Sequence, residues 1–324
     1  MASDKSIIGL ALLAKVEAAY NTGSTTLSTS TDGIQVATLP EFDLAYAFDG
    51  SRPIPPGTAG NQKRSAPSGR TASSKISIEA KGSGATYTSS SVPPMHLFLR
   101  ASGLTAALSA STWTYTPDVI GSVPASLALG VYRRGELWNM SGGYSDFTLS
   151  ATNAGPTMFE FDVQAVASAP SDATCPVISY PYASVIPPKA EQITFSLNGY
   201  TTLKVRSFKF TYGRKVTPRI DLNMSTLGHA GFAPDRHNPS FTVTVEATQL
   251  TNIDPYNLQV LGTAVPVSLT VGSVANNKYT LSMPNCQITA VKGAEDGPVA
   301  TWELTMDVVQ SDPSTFDDVS LKFN

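Results

Sequence analysis

The strongest constraint on the fold is a strand–connection–strand pattern that occurs twice in the chain. Residues 42–46 read Phe-Asp-Leu-Ala-Tyr, and a long polar connection leads from them to Lys-Ile-Ser-Ile-Glu-Ala at 75–80. Residues 208–212 read Phe-Lys-Phe-Thr-Tyr, and a similar connection leads to Thr-Val-Thr-Val-Glu-Ala at 242–247. Alternating apolar and polar residues are typical of strands with one buried face. The two copies therefore predict an internal duplication.

The order of the segments supports the duplication. After each strand pair come a short helix, a strand, a hairpin, a Gly-Pro pair and a terminal strand, in the same sequence both times. The matched positions keep a nearly constant spacing, because Phe42, Tyr46 and Glu79 map to Phe208, Tyr212 and Glu246 at offsets of 166, 166 and 167. We expect the first half to carry extra residues near 112–116, where the spacing shrinks.

Composition favours an all-β fold with short flanking helices. Only 15% of the 324 residues are charged, and 24 Gly and 23 Pro interrupt the apolar runs, as in chains built of strands and turns. Helices are expected over residues 4–20, which carry apolar side chains at helical spacing, and near 94–101 and 255–261. The fold class predicted from the residues is therefore all-β, with one β unit that occurs twice in tandem.

The predicted domain boundaries follow from the repeat and from a Pro-rich shift in composition. We expect an N-terminal β domain over 1–167 with a long loop at 47–74, a linker over 168–192, and a C-terminal β domain over 193–324 with a long loop at 213–240. Loops of this length inside a compact domain are usually functional or disordered.

The two long connections concentrate basic residues. These side chains either remain solvated or dock onto carboxylates of a neighbouring subunit. The candidate assembly residues are Arg52, Lys63, Arg64, Arg70, Arg214, Lys215, Arg219 and Arg236. Carboxylates that alternate with apolar residues in the strands indicate the wet face of a sheet, and these are Asp43, Glu79, Glu160, Asp162, Glu246 and Asp307.

Residues that could support catalysis or metal binding are sparse. No nucleophile elbow, phosphate loop or dinucleotide-binding glycine pattern occurs in the chain. His229, His237 and Asp235 share one polar connection, but no further Cys or Glu stands at ligand spacing. His96 is interpreted as a half-buried side chain of the short helix. We therefore predict no catalytic residue, no metal site and no cofactor.

The net charge, the cysteines and the N-terminal apolar run further limit the kind of protein that the sequence encodes. The formal net charge of −3 disfavours a protein that binds nucleic acid over its whole surface. Cys175 and Cys286 could pair with each other, but free thiols of a chain made in a reducing cytosol are the favoured interpretation. The apolar run near the N-terminus is short and interrupted by charges, so neither a signal peptide nor a membrane span is expected.

Several segments together resemble the major tail tube proteins of long-tailed, siphovirus-like bacteriophages. The similar segments are Leu-Leu-Ala-Lys-Val-Glu-Ala-Ala-Tyr-Asn-Thr-Gly at 12–23, Pro-Glu-Phe-Asp-Leu-Ala at 40–45, Leu-Arg-Ala-Ser-Gly-Leu-Thr at 99–105 and Tyr-Thr-Pro at 115–117. The resemblance covers most of the chain and lies in the pattern as a whole.

The resemblance implies a structural virion protein with two tandem tail-tube-type β-sandwich domains, which assembles into stacked rings. The sheets of such rings close into a barrel around a channel that conducts DNA without specific binding. A duplicated chain implies rings of three subunits with pseudo-sixfold symmetry, with the two long connections as arms to adjacent subunits. The implied partners are further copies of the chain and the tape measure, terminator and distal tail proteins, with assembly in the host cytoplasm and no membrane.

Two other functions are compatible with a β-sandwich of this composition. A baseplate or adhesin module would bind saccharides through an exposed aromatic groove, whereas the aromatics here follow strand alternation and indicate core or interface. A secreted hydrolase would need an acid/base pair, which the sequence does not present.

Overall fold

Antiparallel strands make up most of the chain in the computed structural model. The structure describes residues 10–21, 26–38, 40–49, 66–119, 122–152, 155–188, 192–221, 223, 229–312 and 316–324, and for 41–42, 44–49, 66–70 and 229 it describes the backbone alone.

The first half contains ten of the described elements. They are β1 (Leu10–Val16), β2 (Glu41–Asp49), β3 (Ala66–Glu79), α1 (His96–Ala101), β4 (Leu104–Ser109), β5 (Thr112–Pro117), β6 (Leu127–Arg133), β7 (Glu136–Ala151), β8 (Met158–Ala167) and β9 (Ser171–Asp172).

The second half contains the other ten. They are β10 (Ile193–Leu197), β11 (Val205–Thr211), β12 (Val216–Ile220), β13 (His229–Pro234), β14 (Ser240–Glu246), α2 (Pro255–Leu261), β15 (Ala264–Val271), β16 (Tyr279–Asp296), β17 (Val299–Val308) and β18 (Ser320–Phe323).

The order of strands in the main sheet confirms the duplication. The strands β2-β3-β8-β7 are followed directly by β11-β14-β17-β16, so the second set repeats the first and joins it edge to edge. In each half the long strand continues into a second layer, where β7 pairs with β6 and β6 with β1, and β16 pairs with β15 and β15 with β10. The hairpin β4–β5 has no counterpart among the described residues of the second half, and it accounts for the expected extra residues near 112–116.

The pairing register corrects one detail of the repeat. The strands β3 and β14 correspond at an offset of 167, which makes Ser74 the counterpart of Phe241. Phe42 pairs with Ser74, and Phe210 pairs with Phe241. Phe210, rather than Phe208, therefore occupies the place of Phe42, at an offset of 168 instead of 166. A shift by two residues keeps every side chain on the same face of a strand, so alternation alone cannot distinguish the two alignments.

A bulge in β7 turns that strand from one layer into the other. The register shifts at Gly142 and Gly143, and Gly142 has a φ of +63°, which favours glycine. The buried carboxylate of Glu17 accepts hydrogen bonds from the Gly142 N–H at 3.1 Å and from the Ser126 hydroxyl at 2.7 Å. The turn of the strand is thus fixed by a side chain from the segment after β1.

The prediction of an N-terminal helix over 4–20 is wrong for the residues that the structure describes, 10–20. Leu10–Val16 forms β1, which pairs antiparallel with β6, and residues 1–9 lie outside the described residues. The run from Ala11 to Ala14 is buried on both faces of the strand, so its side chains are continuously apolar. Short continuous apolar runs fit a buried strand and a helix equally well. The helices expected near 94–101 and 255–261 are present as α1 and α2.

The two expected long loops contain more strand than the sequence indicated. In the first connection, β3 begins at Ala66, so residues 66–74 belong to a hairpin with β2, while residues 50–65 lie outside the described residues. In the second connection, β12 and β13 pair with each other as a two-stranded ribbon. Polar strands rich in Ser, Thr and Gly lack the apolar alternation by which strands are recognised in a sequence.

The core is continuous across both halves. Phe147 of β7 lies within ring-contact distance of Phe159 and Phe161 in the first half and of Phe210 in the second, with centroids 5.9 to 6.0 Å apart. The segment over 168–192 packs along this body, because the Ser179 N–H donates to the Thr29 carbonyl at 3.1 Å. The division of the chain at 168–192 stays a prediction.

Candidate assembly surface

The two halves meet at an antiparallel junction between β7 and β11. Leu149 lies opposite Phe210 and Thr148 opposite Thr211 in the register. The Tyr212 N–H donates to the Phe147 carbonyl at 3.0 Å, and the rings of these two residues stack with centroids 5.1 Å apart. This internal junction therefore combines main-chain hydrogen bonds with buried aromatic contacts.

The segment after β11 ties the junction to the end of α1. Arg214 Nη1 donates to the Ser102 carbonyl at 3.0 Å, and its backbone N–H donates to Asp146 Oδ1 at 2.9 Å. The Tyr212 hydroxyl donates to the Gly103 carbonyl at 3.4 Å. Burial raises the pKa of Asp146 above its ordinary value, although backbone donors such as Arg214 oppose the shift. The second half thus covers one end of the first-half helix.

The ribbon β12–β13 also folds back onto the first half. The Tyr20 hydroxyl accepts from the Phe232 N–H at 2.6 Å and donates to the Phe232 carbonyl at 2.8 Å. Tyr20 stacks on Tyr144 with centroids 5.5 Å apart, and Phe232 packs with Tyr144 and Val166 in a small apolar cluster. The second long connection therefore contacts its own chain rather than only solvent.

Each end of the eight-strand sheet is an open edge. At one end β2 pairs only with β3, and at the other end residues 291–296 of β16 pair only with β17 among the described residues. Residues 292–296 are exposed to solvent. Unpaired strand edges present free N–H and C=O groups and readily accept another strand. We call residues 291–296 the β16 edge.

Apolar side chains are exposed on α2, which packs on β16, and at Val309, which follows β17. The helix α1 buries four of its residues, whereas Pro255 is the buried residue of α2, and Tyr256, Val260 and Leu261 are exposed. Val309 is 37% exposed although its counterpart Val166 is 8% exposed beneath the β12–β13 ribbon. In the first half these positions are covered by segments of the second half. Their counterparts in the second half are exposed to solvent.

The solvent face of the main sheet is polar and carries more carboxylates than cations. A shallow cleft of about 640 Å³ lies on this face, lined among others by Lys75, Asp146, Thr148, Glu160 and Asp162. The opposite face packs into the core. Because cross-strand partners share a face, Asp43, Glu303 and Asp307 extend the acidic row across both halves.

The structure separates the basic residues proposed for assembly into three groups. Arg52, Lys63 and Arg64 lie outside the described residues, and Arg70 lies in β3 with only its backbone described. Arg214 is bound within its own chain. Exposed positions on or beside the β12–β13 ribbon hold Lys215, Arg219 and Arg236.

The six duplicated strand residues also fall into different environments. Phe208 and Tyr212 are buried, while Phe42 and Tyr46 lie in β2 with only their backbone described. Glu246 pairs with Lys204 and Arg206, each at 3.2 Å, and these neighbours hold the pKa of Glu246 below its ordinary value. Glu79 pairs with the buried Lys81 at 3.2 Å.

The β16 edge was missed by sequence reasoning. The signal available is the run Lys-Gly-Ala-Glu-Asp-Gly at 292–297, where apolar alternation stops although the strand continues. The matching first-half segment, Thr-Leu-Ser-Ala at 148–151, keeps its alternation because β11 covers it.

Two of the three histidines make structural contacts, and of His229 only the backbone is described. His237 Nε2 lies 2.6 Å from Asp318 Oδ2 and its ring stacks on Tyr212, while His96 Nδ1 lies 2.7 Å from the Tyr115 hydroxyl. Within the described part of the chain, no group of three or more His, Cys, Asp or Glu side chains could hold a metal ion. Cys175 and Cys286 are both free, as expected.

None of the helices in the described ranges has the length and apolar character needed to cross a membrane.

Comparison with known proteins agrees with the architecture. The family profile described as phage tail tube protein matches residues 9–309, which is nearly the whole chain. A search of individually curated proteins gave no match. The profile spans both copies of the duplicated β unit and the junction between them, and the chain therefore belongs to the phage tail tube protein family.

Proposed function

We propose that this chain polymerises into stacked rings that form the phage tail tube and conduct DNA into the host. Membership of the family makes it a structural protein of the virion tail. The observation that carries the finer proposal is the eight-strand sheet, which repeats its strand order and ends in an open edge on each side. Two different edges that fit each other make a head-to-tail contact, and such contacts close into rings when the rotation allows.

The duplication supports rings of three chains. The junction between β7 and β11 already relates two similar units within one chain. If the contact between chains repeats this relation, a ring with six similar units contains three chains and has pseudo-sixfold symmetry. Closure would also remove both open edges from solvent.

The polar face of the sheet is suited to line the channel. Its opposite face is occupied by the core and the second layer, so a barrel built from this sheet turns the acidic row inward. Carboxylates repel the DNA phosphates, whereas a basic lining would release counterions and retain the DNA. An acidic lumen therefore favours passage over binding.

The remaining partners follow from the same proposal. The ends of a tube must be capped and its length set, so we expect contacts with tape measure, terminator and distal tail proteins. Assembly takes place in the host cytoplasm, before DNA passes through the finished tail.

Electron microscopy of the purified protein tests the proposal directly. We expect rings or hollow tubes, and native mass spectrometry of single rings should give three chains. A protein that remains monomeric at every concentration, even when mixed with other tail proteins, would contradict the polymerising function. Rings of six chains would contradict the three-chain arrangement alone.

The channel lining can be tested by reversing charge on the polar face. The variant Glu160→Lys should still form tubes, because Glu160 is exposed, but these tubes should retain DNA in a salt-dependent manner. The control Val123→Lys adds a positive charge at an exposed site near α1 and β5, on the other side of the sheet. Equal DNA retention by both variants would show that the polar face does not line the channel.

A further inference from the structure

We propose that the β16 edge of one chain pairs with β2 of a second copy in the register of the internal junction, which places Lys292 opposite the second copy's Asp43. The inference rests on the proposed assembly into rings and specifies the contact that closes them. Its basis is the geometry of the junction between β7 and β11.

The register of β16 relative to β7 can be read from their common neighbours. Leu149 of β7 pairs with Phe159 of β8, and Gly293 of β16 pairs with Trp302 of β17. Phe159 and Trp302 occupy the same place in the repeat, because they pair with Ile78 and with Val245 at the established offset of 167. Gly293 is therefore the counterpart of Leu149.

The same correspondence identifies the residues that would meet between chains. Thr148 lies opposite Thr211 at the internal junction. The counterpart of Thr148 is Lys292, which precedes Gly293, and the counterpart of Thr211 is Asp43, at the offset of 168 found for β2 and β11. Two threonines inside the chain are thus replaced by an exposed cation and an exposed carboxylate at its edges. Opposite charges in directly facing positions stabilise a strand pair.

The main-chain groups of the β16 edge point in the required direction. Phe147 accepts from the Tyr212 N–H across the junction, so alternate residues of β7 direct their N–H and C=O groups toward β11. The counterparts Val291, Gly293 and Glu295 direct theirs away from β17. These groups have no strand partner among the described residues, and a second β2 strand would supply one.

The exposed Val309, which follows β17, fits the same partner. At the internal junction the β12–β13 ribbon, which continues from β11, covers Val166. The β2–β3 hairpin occupies the equivalent position in the repeat, so pairing through β2 brings this hairpin over the exposed Val309. The occupant with the right strand, charge and hairpin is therefore a second copy of this chain.

Lys292 is available for this contact. Its ammonium lies 3.4 Å from the Glu303 carboxylate, and both side chains are largely exposed, so the pair is weak and easily shared with a second carboxylate. On β2, Asp43 is exposed on the polar face of the sheet.

Disulfide trapping in assembled tubes tests the register. The variant Asp43→Cys/Lys292→Cys is made in a Cys175→Ser background, since Cys286 is buried. Facing residues of this type of pair lie about 4.5 Å apart between Cα atoms, within the range that a disulfide spans. Oxidised tubes should give a ladder of covalently linked chains on non-reducing gels.

Two matched variants control the geometry. Thr148→Cys/Thr211→Cys has the same arrangement inside one chain and should form an intramolecular disulfide in the monomer. Asp43→Cys/Ala294→Cys displaces one thiol by two residues on the same face and should cross-link much less. Tubes of the main variant that show no ladder, or cross-linking by Asp43→Cys alone, would overturn the register while leaving the tube function intact.

A second set of variants covers the case in which the cysteines disturb assembly. Asp43→Thr and Lys292→Thr should each raise the concentration needed for assembly, by roughly twofold to fivefold, since each removes the attraction between the two chains and places a threonine opposite a charged side chain. The double variant reproduces the threonine pair of the internal junction and should return close to the original concentration. Additive losses in the double variant would overturn the pairing, whereas wild-type protein that never assembles would contradict the proposed function itself.

Discussion

The internal junction and the open edges occupy equivalent places in the repeat but have opposite surfaces. At the junction β7 pairs with β11, and its residues Phe147 and Leu149 are both apolar and buried in the core. At the β16 edge the counterparts are Val291 and the exposed Gly293, followed by exposed charged residues. A contact made within one chain never needs to face water, whereas a contact made between chains must remain soluble until the partner arrives.

The two helices show the same difference. The first-half helix α1 is buried against β4 and β7 and is held at its end by Arg214. The second-half helix α2 packs on β16 and leaves apolar side chains in solvent. Exposed apolar residues that cluster beside an open strand edge indicate an interaction surface.

The largest effect is expected from breaking the internal junction. Leu149→Pro removes a fully buried side chain and a ladder hydrogen bond from a central strand, so we expect the chain not to reach its native state. Circular dichroism and size-exclusion chromatography measure the result. A variant with cooperative unfolding within about 1 kcal/mol of wild type would show that the junction does not hold the halves together.

Acid should destabilise the first half through its buried histidine. Burial, aided by the charge of Arg100, lowers the pKa of His96 to about 4, below the value of 6.5 in an unfolded chain. The folded state therefore loses stability as the pH falls from 6.5 toward 4, by about 3 kcal/mol in total.

The variant His96→Gln isolates this contribution. Urea unfolding at pH 7 and pH 4 should show a smaller loss for the variant than for wild type, while carboxylate titrations affect both equally. No titratable side chain takes this place in α2, so the sensitivity should belong to the first half. Equal losses in the two proteins would contradict the assignment.

Proline at the counterpart edge position should separate folding from assembly. Gly293→Pro removes an N–H on the open side of an edge strand, where proline is tolerated, so the free energy of unfolding should fall by less than about 1 kcal/mol. Assembly should require at least about tenfold more protein, because a main-chain bond to the next β2 is lost. Tubes that form at the wild-type concentration would show that this edge stays unpaired.

A smaller effect than at Gly293 is expected on the exposed face of α2. Val260 is 84% exposed, so Val260→Ser should leave the stability of the monomer within about 0.5 kcal/mol of wild type. If the neighbouring chain covers α2, the concentration needed for assembly should rise about threefold to tenfold. Light scattering against concentration measures it, and the exposed but distant Val177→Ser serves as the control.

The features that could be predicted from the sequence depend on order and alternation. The duplication and both short helices were recoverable, because the same elements recur in the same order and apolar alternation marks the strands around Phe210 and Phe161. The N-terminal strand was not, since the continuous apolar run from Leu10 to Ala14 fits a helix as well. The two-residue error in aligning Phe42 reflects the period of the strand itself.

The assembly surface was recoverable only in part. Basic residues in the long connections drew attention to those segments, but the structure uses Arg214 inside the chain. The β16 edge is recognised because it lacks a strand neighbour on one side among the described residues. No local sequence pattern indicates that a neighbour is missing. It becomes visible only when Gly293 is compared with Leu149 through their pairing partners.

The bend in β7 at Gly142, held by the Glu17 carboxylate, has a mechanical consequence. Because β7 and its counterpart β16 each run through both layers, the layers are joined by covalent backbone as well as by side-chain packing. A shearing force applied to one layer is carried into the other along these two strands. The layers cannot slide past each other unless the strands themselves are pulled out of register, which gives the two-layered chain a resistance to deformation that packing alone would not provide.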